Sequence, residues 1–293
     1  MIFGLDCADV ESTASTSWSL AKANGPISFA IIRAAYGKTA DVSFQTSWPA
    51  IKAVGITRGA YLFLRFPKEG SSPPPDPKTQ AQAFVNTVGP LDHTDFPPVI
   101  DVEFPGNGRK DTGLTPTQAL AWVRSAWRAL ASAYGVTPII YTSARVWSED
   151  LNNIAAGVLA RSPLWLARYF YGANTTAVRD PVALGSGFQD PPVPPPWGDA
   201  GNWWIHQFQG DAIGLPGFAR TVDMDRFNTT LQGAKGDRVK WIQRQLGIAQ
   251  SGTFDAALTK RIIGFQAAKG LVADGIVGPK TFVALCWNQP RPQ

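Results

Sequence analysis

The chain of 293 residues is 44% hydrophobic and 17% charged, which excludes a disordered protein and allows one large domain with a small one. The net charge of +5 is concentrated in the tail, because the segment from Lys235 onward carries nine basic and three acidic residues, whereas the rest carries −1. No run approaches the ~20 apolar residues of a membrane span. Cys7 and Cys286 do not form a disulfide framework, and we predict buried free thiols. His93 and His206 are too few for an ordinary zinc site, so no metal or cofactor is predicted.

Short apolar runs alternate with amphipathic segments along the chain. The predicted strands are Ile2–Asp6, Ser28–Tyr36, Arg58–Phe63, the run inside Phe96–Phe104, Thr137–Thr142, Pro163–Ala167, Trp203–Phe208 and Thr221–Phe227. The predicted helices are Phe44–Val54, Lys78–Val88, Thr115–Tyr134 and Ser148–Ala156, and Tyr169–Asn202 is predicted to be a loop. About eight strands separated by helices indicate parallel βαβ units that close into an α/β barrel.

The stretch FPPVIDVEF, residues 96–104, places Asp101 and Glu103 at the end of a predicted strand. Residues two apart in a strand share a face, so both carboxyls project the same way with α-carbons roughly 6.5–7 Å apart. Because such a pair resists double ionisation, one member should keep its proton and act as a general acid beside a charged partner, as glycoside hydrolysis requires. A strand running into a solvated acidic loop would show the same pattern.

Acids also lie near the ends of the first and last strands, at Asp6 and Asp223. In closed β/α barrels the chemistry is located where the strands end, and closure brings the first and last strands together. We therefore predict that Asp6, Asp101, Glu103 and Asp223 converge on one rim.

The ordered blocks GLDCA, FAIIRAAYG, RGAYLFL, PPVIDVE, PIIYTS, PLWLARY, WWIHQF and VDMDRF resemble, over about residues 2–228, the glycoside hydrolase family 25 lysozymes. These are N-acetylmuramidases common in phage endolysins. The resemblance implies a distorted TIM-like barrel with fewer helices than strands, which cleaves the bond between N-acetylmuramic acid and N-acetylglucosamine. It implies Glu103 as the catalytic acid and Asp101 as its partner. The family's first-strand and last-strand aspartates fall on Asp6 and Asp223, and Asp225, on the same face as Asp223, is the competing assignment.

The same resemblance places residues of the sugar groove. Tyr61, Tyr141 and Tyr169 fall where the family has aromatics that line the groove, and Gln207 lies in its Trp-x-Gln-aromatic segment. Arg33, in the second strand, is either a groove residue or a buried ion-pair partner.

Three features depart from the family pattern. Ala8 stands where serine is usual and His206 where tryptophan is usual, which puts local hydrogen bonding and groove shape in doubt. The proline-rich insertion Asp190–Trp197 is longer than expected, and it is interpreted as a solvated loop, with a rim of the groove as the alternative.

The C-terminal segment contains a repeat offset by 23 residues, Gly252-Thr-Phe against Gly275-Ile-Val, each followed by a predicted helix. With VKWIQRQLGI before it, three short helices are predicted around a small apolar core. That core comprises Val239, Ile242, Leu246, Ile262, Phe265, Phe282 and Leu285. The pattern is similar to the three-helix peptidoglycan-binding domain of wall hydrolases, although a plain helical bundle would use the same positions. The predicted organisation is a catalytic barrel at 1–231, a linker at 232–236 and a peptidoglycan-binding domain at 237–288.

Together these features predict an endolysin-type peptidoglycan hydrolase anchored to the bacterial cell wall by its basic C-terminal domain. Nucleic acid would also suit a basic tail, but the predicted partners are peptidoglycan glycan strands and the wall, without nucleic acid or membrane, for a monomer. The N-terminus lacks a secretory signal, so we expect synthesis in the host cytoplasm and action on the wall after release. The alternatives are a non-catalytic wall-binding or virion structural protein, and a chitinase-like glycosidase.

Overall fold

A single mixed sheet carries the larger part of the chain. The computed structural model describes residues 2–8, 16–25, 27–68, 70, 72, 74–104, 106–169, 176–177 and 190–288. The strands in these residues are β1 (Ile2–Cys7), β2 (Ile27–Tyr36), β3 (Thr39–Ala40), β4 (Thr57–Phe63), β5 (Val99–Asp101), β6 (Ile139–Thr142), β7 (Leu164–Ala167), β8 (Thr176–Ala177), β9 (Ile205–Ile213) and β10 (Val222–Phe227). Their order is β1-β10-β9-β7-β6-β5-β4-β2-β3, with β8 added beside β9.

The parallel pairing of β1 with β2 closes this sheet into an eight-stranded barrel, which confirms the predicted fold class. The short strands β3 and β8 lie outside the ring, on β2 and β9. The alternation of strands and helices predicted parallel βαβ units, and the last strand departs from that pattern, since β10 runs antiparallel to both β1 and β9. The reason is the short connection at 214–221, because a parallel crossover needs a dozen or more residues.

Four helices of the described chain accompany the barrel and three follow it. They are α1 (Trp18–Asn24), α2 (Phe44–Ala53), α3 (Pro77–Val88), α4 (Pro116–Tyr134), α5 (Asp237–Gln245), α6 (Ala256–Ala268) and α7 (Pro279–Cys286). The boundaries of α4 follow from its sequence. Thr115 and Gln118 form a capping box, Pro116 occupies the first turn, and Gly135 ends the helix in the left-handed conformation at φ 68°. None of these helices is long and apolar enough to cross a bilayer.

Two predicted elements differ from the structure. The helix expected at Ser148–Ala156 is wrong: a single π-helical turn spans Val146–Asp150, and Asn152 and Asn153 then adopt φ of 50°, which a continuing helix does not allow. The strand inside Phe96–Phe104 shortens to β5, since Pro97 and Pro98 have no N–H for the ladder. One sheet-like bond continues past β5, from the Val102 N–H to the Tyr141 carbonyl at 2.9 Å. Helix α1 was not predicted.

The three C-terminal helices pack on the end of the barrel opposite the carboxyl ends of its parallel strands. Phe282 of α7 is fully buried, with ring centroids 4.5 Å from Trp204, 5.3 Å from Trp241, 5.6 Å from Phe227 and 6.0 Å from Phe96. We call these five side chains the aromatic seam. Trp204, Phe227 and Phe96 belong to the barrel, so the barrel and the helices share one hydrophobic cluster.

The repeat predicted in the C-terminal segment is present in its hydrogen bonds. The Gly252 N–H donates to the Gln243 side chain at 2.9 Å, and the Gly275 N–H donates to the Gln266 side chain at 2.8 Å. In the segment predicted as a linker, the Gly236 N–H donates to the Gly252 carbonyl at 2.9 Å. The predicted domain boundaries stay predictions. The cysteine prediction is confirmed, because Cys7 and Cys286 are both buried thiols outside any disulfide.

Candidate active site

A pocket of about 610 Å³ opens at the carboxyl ends of the parallel strands. Every residue that the sequence predicted for the site lines it. These residues are Asp6, Arg33, Tyr61, Asp101, Glu103, Tyr141, Tyr169, Gln207 and Asp223. Their convergence follows from closure of the barrel, because they come from seven different strands and from the segments just after β5 and β7. Their roles in catalysis remain predictions.

Asp101 and Glu103 enter the pocket from the end of β5. Asp101 is the last residue of the strand, paired in register with Phe63 on one side and Tyr141 on the other, and it is 6% exposed. Glu103 lies two residues further on and is half-buried. Among the described residues, the Asp101 Oδ1 atom is buried without a hydrogen-bond partner. A buried carboxylate oxygen without a donor is costly, so this atom keeps an unused capacity to accept a hydrogen bond.

Burial raises the pKa of both carboxyls. For Asp101 the charge of Glu103 adds to the burial, the nearby Arg33 guanidinium opposes it, and the pKa lies well above its ordinary value. For Glu103 burial raises the pKa, while the charge of Arg145 and the neighbouring Tyr141 hydroxyl lower it in part. The sequence predicted a charged Asp101 beside a protonated Glu103; in this unliganded arrangement Asp101 competes strongly for the proton that the pair retains.

Gln207 on β9 joins the two sides of the pocket. Its Nε2 donates to Asp6 Oδ2 at 2.7 Å and to Asp223 Oδ2 at 3.1 Å. Its Oε1 accepts from the hydroxyls of Tyr141 at 2.7 Å and Tyr169 at 2.8 Å. All four hydrogen-bonding positions of the amide are therefore used, and the orientation of the side chain is fixed.

The two candidate aspartates of β10 occupy different depths. Asp223 pairs directly across from Asp6 in the sheet, lines the pocket, and accepts the Asp211 N–H at 2.8 Å. Asp225 is fully buried below the pocket and accepts the indole N–H of Trp165 at 2.8 Å. Burial raises the pKa of both Asp225 and Asp6, and the charge of Asp225 raises the pKa of Asp6 further. The geometry favours Asp223 as the groove residue and gives Asp225 a supporting place.

Arg33 combines both roles that the sequence left open. Its Nε lies 2.9 Å from both carboxylate oxygens of the buried Asp41, so it is a buried ion-pair partner. It also lines the pocket, where its charge opposes the rise in the pKa of Asp101. Arg33 thus brings positive charge to the DxE pair while its ion pair fixes its position.

Sequence reasoning missed several residues of the pocket. Trp165 contributes its ring next to Tyr61 and Tyr141, with centroids 6.4 Å and 4.6 Å away, and Phe63 also lines the wall. Both lie on strands already predicted, and strand alternation could have placed them on the inner face. Asp211, whose φ of 52° turns its N–H toward Asp223, had no sequence signal.

Of the three departures from the family pattern, one reaches the pocket. Ala8 lines it and is buried. The doubt about groove shape at His206 is removed, because His206 is buried outside the pocket, accepts the Nε N–H of Arg226 at 2.9 Å and lies 2.9 Å from the Arg168 carbonyl. Its burial, with the two arginines nearby, lowers the pKa to about 3.

The proline-rich insertion at 190–197 does not line the pocket. It is also not a simple solvated loop: Trp197 is buried against Trp147 with ring centroids 4.5 Å apart, and Asp190 pairs with Arg226 at 3.0 Å. The rest of the predicted loop at Tyr169–Asn202 holds the short strand β8, and residues 170–175 and 178–189 lie outside the described residues.

The chemistry that this pocket supports is acid catalysis on a polar, sugar-sized ligand. Within the described residues, no group of three or more histidine, cysteine or carboxylate side chains is arranged to hold a metal ion. Two carboxyls with raised pKa values stand beside tyrosine hydroxyls that burial keeps protonated. A protonated carboxyl and a second carboxyl within one cleft are the groups that glycoside hydrolysis uses.

Comparisons with known proteins agree with this chemistry. The family model of glycosyl hydrolases family 25 matches residues 6–211, and the model of a putative peptidoglycan binding domain matches residues 235–285. The bacterial lysozyme from Streptomyces coelicolor is 26% identical, with a TM-score of 0.60 over 78% of this chain and 92% of that one. A comparison with curated proteins finds no match.

Two fungal structures are also similar. The muramidase from Trichobolus zukalii is 25% identical with a TM-score of 0.57, covering 79% of this chain and 95% of that one. The muramidase from Acremonium alcalophilum shares the fold at 24% identity and a TM-score of 0.57, covering 82% and 97%. With the family model spanning more than half of its length, the chain belongs to glycosyl hydrolases family 25 and is a glycoside hydrolase of the lysozyme, or muramidase, type with a C-terminal peptidoglycan-binding domain.

Proposed function

We propose that this enzyme cleaves the β-1,4 bond between N-acetylmuramic acid and N-acetylglucosamine, with Glu103 as the general acid. The observation that carries the proposal is the DxE pair at the pocket: Glu103, half-buried, faces the open cleft, while Asp101 lies deeper with an unpartnered oxygen. A proton on Glu103 goes to the departing glycosidic oxygen. The positive charge that develops at the muramic acid ring is stabilised by the surrounding carboxylates.

Asp101 is proposed to orient the acetamido group of the substrate. Its free Oδ1 is positioned to accept an amide N–H, and accepting it stabilises the charged form of Asp101. The pKa of Asp101 then falls, and the proton retained by the pair is left on Glu103, where catalysis needs it. Substrate binding thereby decides which of the two carboxyls holds the proton.

With the acetamido group held in this way, its carbonyl oxygen attacks the anomeric carbon as the glycosidic bond breaks. The amide N–H proton passes to Asp101, and a neutral oxazoline results. Water then opens the oxazoline, losing its proton to the ionised Glu103, while Asp101 returns its proton to the amide nitrogen. Both carboxyls recover their starting states and the anomeric configuration is retained.

Gln207, through its four hydrogen bonds, is proposed to hold the opposite wall of the groove. It fixes Asp6 and Asp223 on one side and the hydroxyls of Tyr141 and Tyr169 on the other. Tyr169 is 43% exposed, so its ring is available to stack on a sugar, as is common at the mouths of such clefts. Tyr61 is buried deeper and shapes the floor.

The cellular role that we propose is that of an endolysin, acting as a monomer. The pairing of a glycan-cleaving barrel with a basic C-terminal domain supports it, because that domain would hold the enzyme on an anionic wall and raise the local substrate concentration. Synthesis in the host cytoplasm and action on the wall after release belong to the same proposal. This role is tested by expressing the enzyme inside bacteria, with and without a co-expressed membrane-permeabilising protein, and measuring cell lysis.

The assignment of Glu103 is tested by Glu103→Gln on purified walls. We expect at least ~10²-fold slower release of reducing sugar, since acid catalysis supplies 10²–10⁴-fold, with unchanged wall binding in a sedimentation assay. Glu149→Gln is the matched control, because Glu149 is exposed and its ion-pair partner among the described residues is Arg145 at 3.3 Å. A Glu103 variant with near wild-type turnover would disprove the assignment.

Product analysis tests the bond and the stereochemistry. Borohydride reduction after digestion should convert muramic acid, not glucosamine, to its alditol; the opposite result would indicate a glucosaminidase. Proton NMR of the first products should show the β-anomer, and an initial α-anomer would replace acetamido participation by direct attack of water.

A further inference from the structure

A second pocket, of about 780 Å³, lies between the barrel and the C-terminal helices. We call it the seam pocket. Its barrel wall is formed by Lys52, residues 55–58 and residues 93–95, and its helical wall by Lys269, Leu271, Lys280 and Ala284. It is separate from the catalytic cleft, with which it shares no lining residue.

The walls of the seam pocket are held by buried contacts. Arg58 donates from Nε to Asp95 Oδ1 at 2.7 Å and from Nη1 to the Trp48 carbonyl at 2.8 Å. From the helical side, the Trp287 indole N–H donates to the Asp95 carbonyl at 2.8 Å. The bond from Trp287 crosses the boundary next to the aromatic seam, and the bonds of Arg58 hold the barrel wall in place.

The charge in the seam pocket is unbalanced. Lys52 is neutralised, with its Nζ 2.7 Å from Asp92 and 3.6 Å from Asp95. Lys269 and Lys280 have no carboxylate within ion-pair distance among the described residues, and Lys269 instead lies 5.7 Å from the centre of the Phe265 ring. Two ammonium groups therefore bring excess positive charge to the helical wall.

The remaining surface is apolar and leads outward. Ile56, Leu271 and Ala284 contribute hydrocarbon to the lining. Lys280 and Leu271 also line an adjoining groove of about 1220 Å³, where Val272 is 79% exposed. A ligand can thus place its charged end between the lysines and extend along an apolar surface.

From this geometry we propose that the seam pocket binds the terminal carboxylate of a short peptide with small aliphatic side chains. Such peptides are the stem peptides of peptidoglycan, so the identity of the ligand rests on the wall-degrading function proposed above. A carboxylate uses the charges of Lys269 and Lys280, and alanine methyl groups use the apolar lining. Both structural units contribute to the site, so a stem peptide bound there holds the barrel and the helices on the wall together.

The proposal is tested with the full chain and the probe acetyl-lysyl-D-alanyl-D-alanine in isothermal titration calorimetry. We expect saturable binding, at least about tenfold weaker binding to Lys269→Gln/Lys280→Gln, and a similar loss when the probe carries a C-terminal amide. Lys235→Gln/Lys260→Gln is the matched control, since it makes the same change in net charge at exposed positions that line neither pocket. Unchanged melting temperatures verify folding.

No binding by the wild-type chain, equal binding of the amide, or equal binding by both double variants would overturn the proposal. Tighter binding of glycerol phosphate than of the peptide would also overturn it, in favour of a phosphate ligand. The outcome is separable from the catalytic assignment. Glu103→Gln should still bind the peptide, and Lys269→Gln/Lys280→Gln should still cleave glycan strands stripped of their peptides at the wild-type rate.

Discussion

Substitution of Phe282 is the most direct test of whether the C-terminal helices stabilise the barrel. It is fully buried and contacts three aromatic rings of the barrel and Trp241 of α5. Truncating a buried phenylalanine to alanine costs about 3–5 kcal/mol. That is a large part of the roughly 5–15 kcal/mol by which proteins are stable. At about 2–4 °C per kcal/mol for a chain of this size class, Phe282→Ala should melt roughly 6–20 °C lower.

Differential scanning calorimetry is the assay. Because the barrel and the helices share one cluster, we expect a single transition that shifts as a whole. Turnover at 20 °C should stay within about twofold of wild type, because the aromatic seam lies at the opposite end of the barrel from the cleft. Phe265→Ala is the control: Phe265 is only partly buried and belongs to α6 outside the aromatic seam, so its loss should cost no more than about 2 kcal/mol.

Two results would refute this reasoning. One is a Phe282→Ala shift no larger than that of Phe265→Ala. The other is a split melt in which the barrel transition keeps its wild-type temperature, which would show that the helices fold independently and touch the barrel without stabilising it.

The remaining predictions concern buried titrating groups. Burial raises the pKa of Asp6 and Asp225 in the folded state, so the native protein retains protons that the unfolded chain releases, and stability falls as pH rises above about 4. Asp225→Asn replaces a buried ionisable carboxyl by a neutral amide of similar size, and it should melt several degrees above wild type at pH 8 and close to it at pH 4; a lower melting temperature at pH 8 would contradict this. His206, with a pKa of about 3, should keep neutral imidazole NMR shifts from pH 8 to pH 4, and a titration near pH 6 would disprove its burial beside Arg226.

The convergence of the site could be predicted from the chain because strand ends are local features. A run of β-branched and aliphatic residues that stops at an acid specifies both the strand and the side of the sheet where the acid lies. This reasoning placed Asp6 and Asp101 correctly in one pocket, whereas Asp223 lies at the start of β10 and reaches the same pocket because that strand is antiparallel to β1. The same local reasoning failed at Ser148–Ala156, where the composition suits a helix but the chain breaks at Asn152.

The choice between Asp223 and Asp225 needed the tertiary structure. Both residues point into the barrel by strand alternation, and only their depth separates them. Depth depends on how far β10 slides against its neighbours. The register that sets Asp223 opposite Asp6 is fixed by side-chain packing in the whole barrel.

The amino-acid sequence by itself determined the strand-ending acids, the helix caps and the repeat of the C-terminal segment, because each follows from residues within a few positions of one another. Only the tertiary structure decided that Gln207 connects four distant side chains, that one oxygen of Asp101 is buried without a partner in the described chain, and that the helices share a core with the barrel. The physical reason is that hydrogen bonds and close packing depend on distances between segments far apart in the chain, and folding sets those distances through all of the contacts at once.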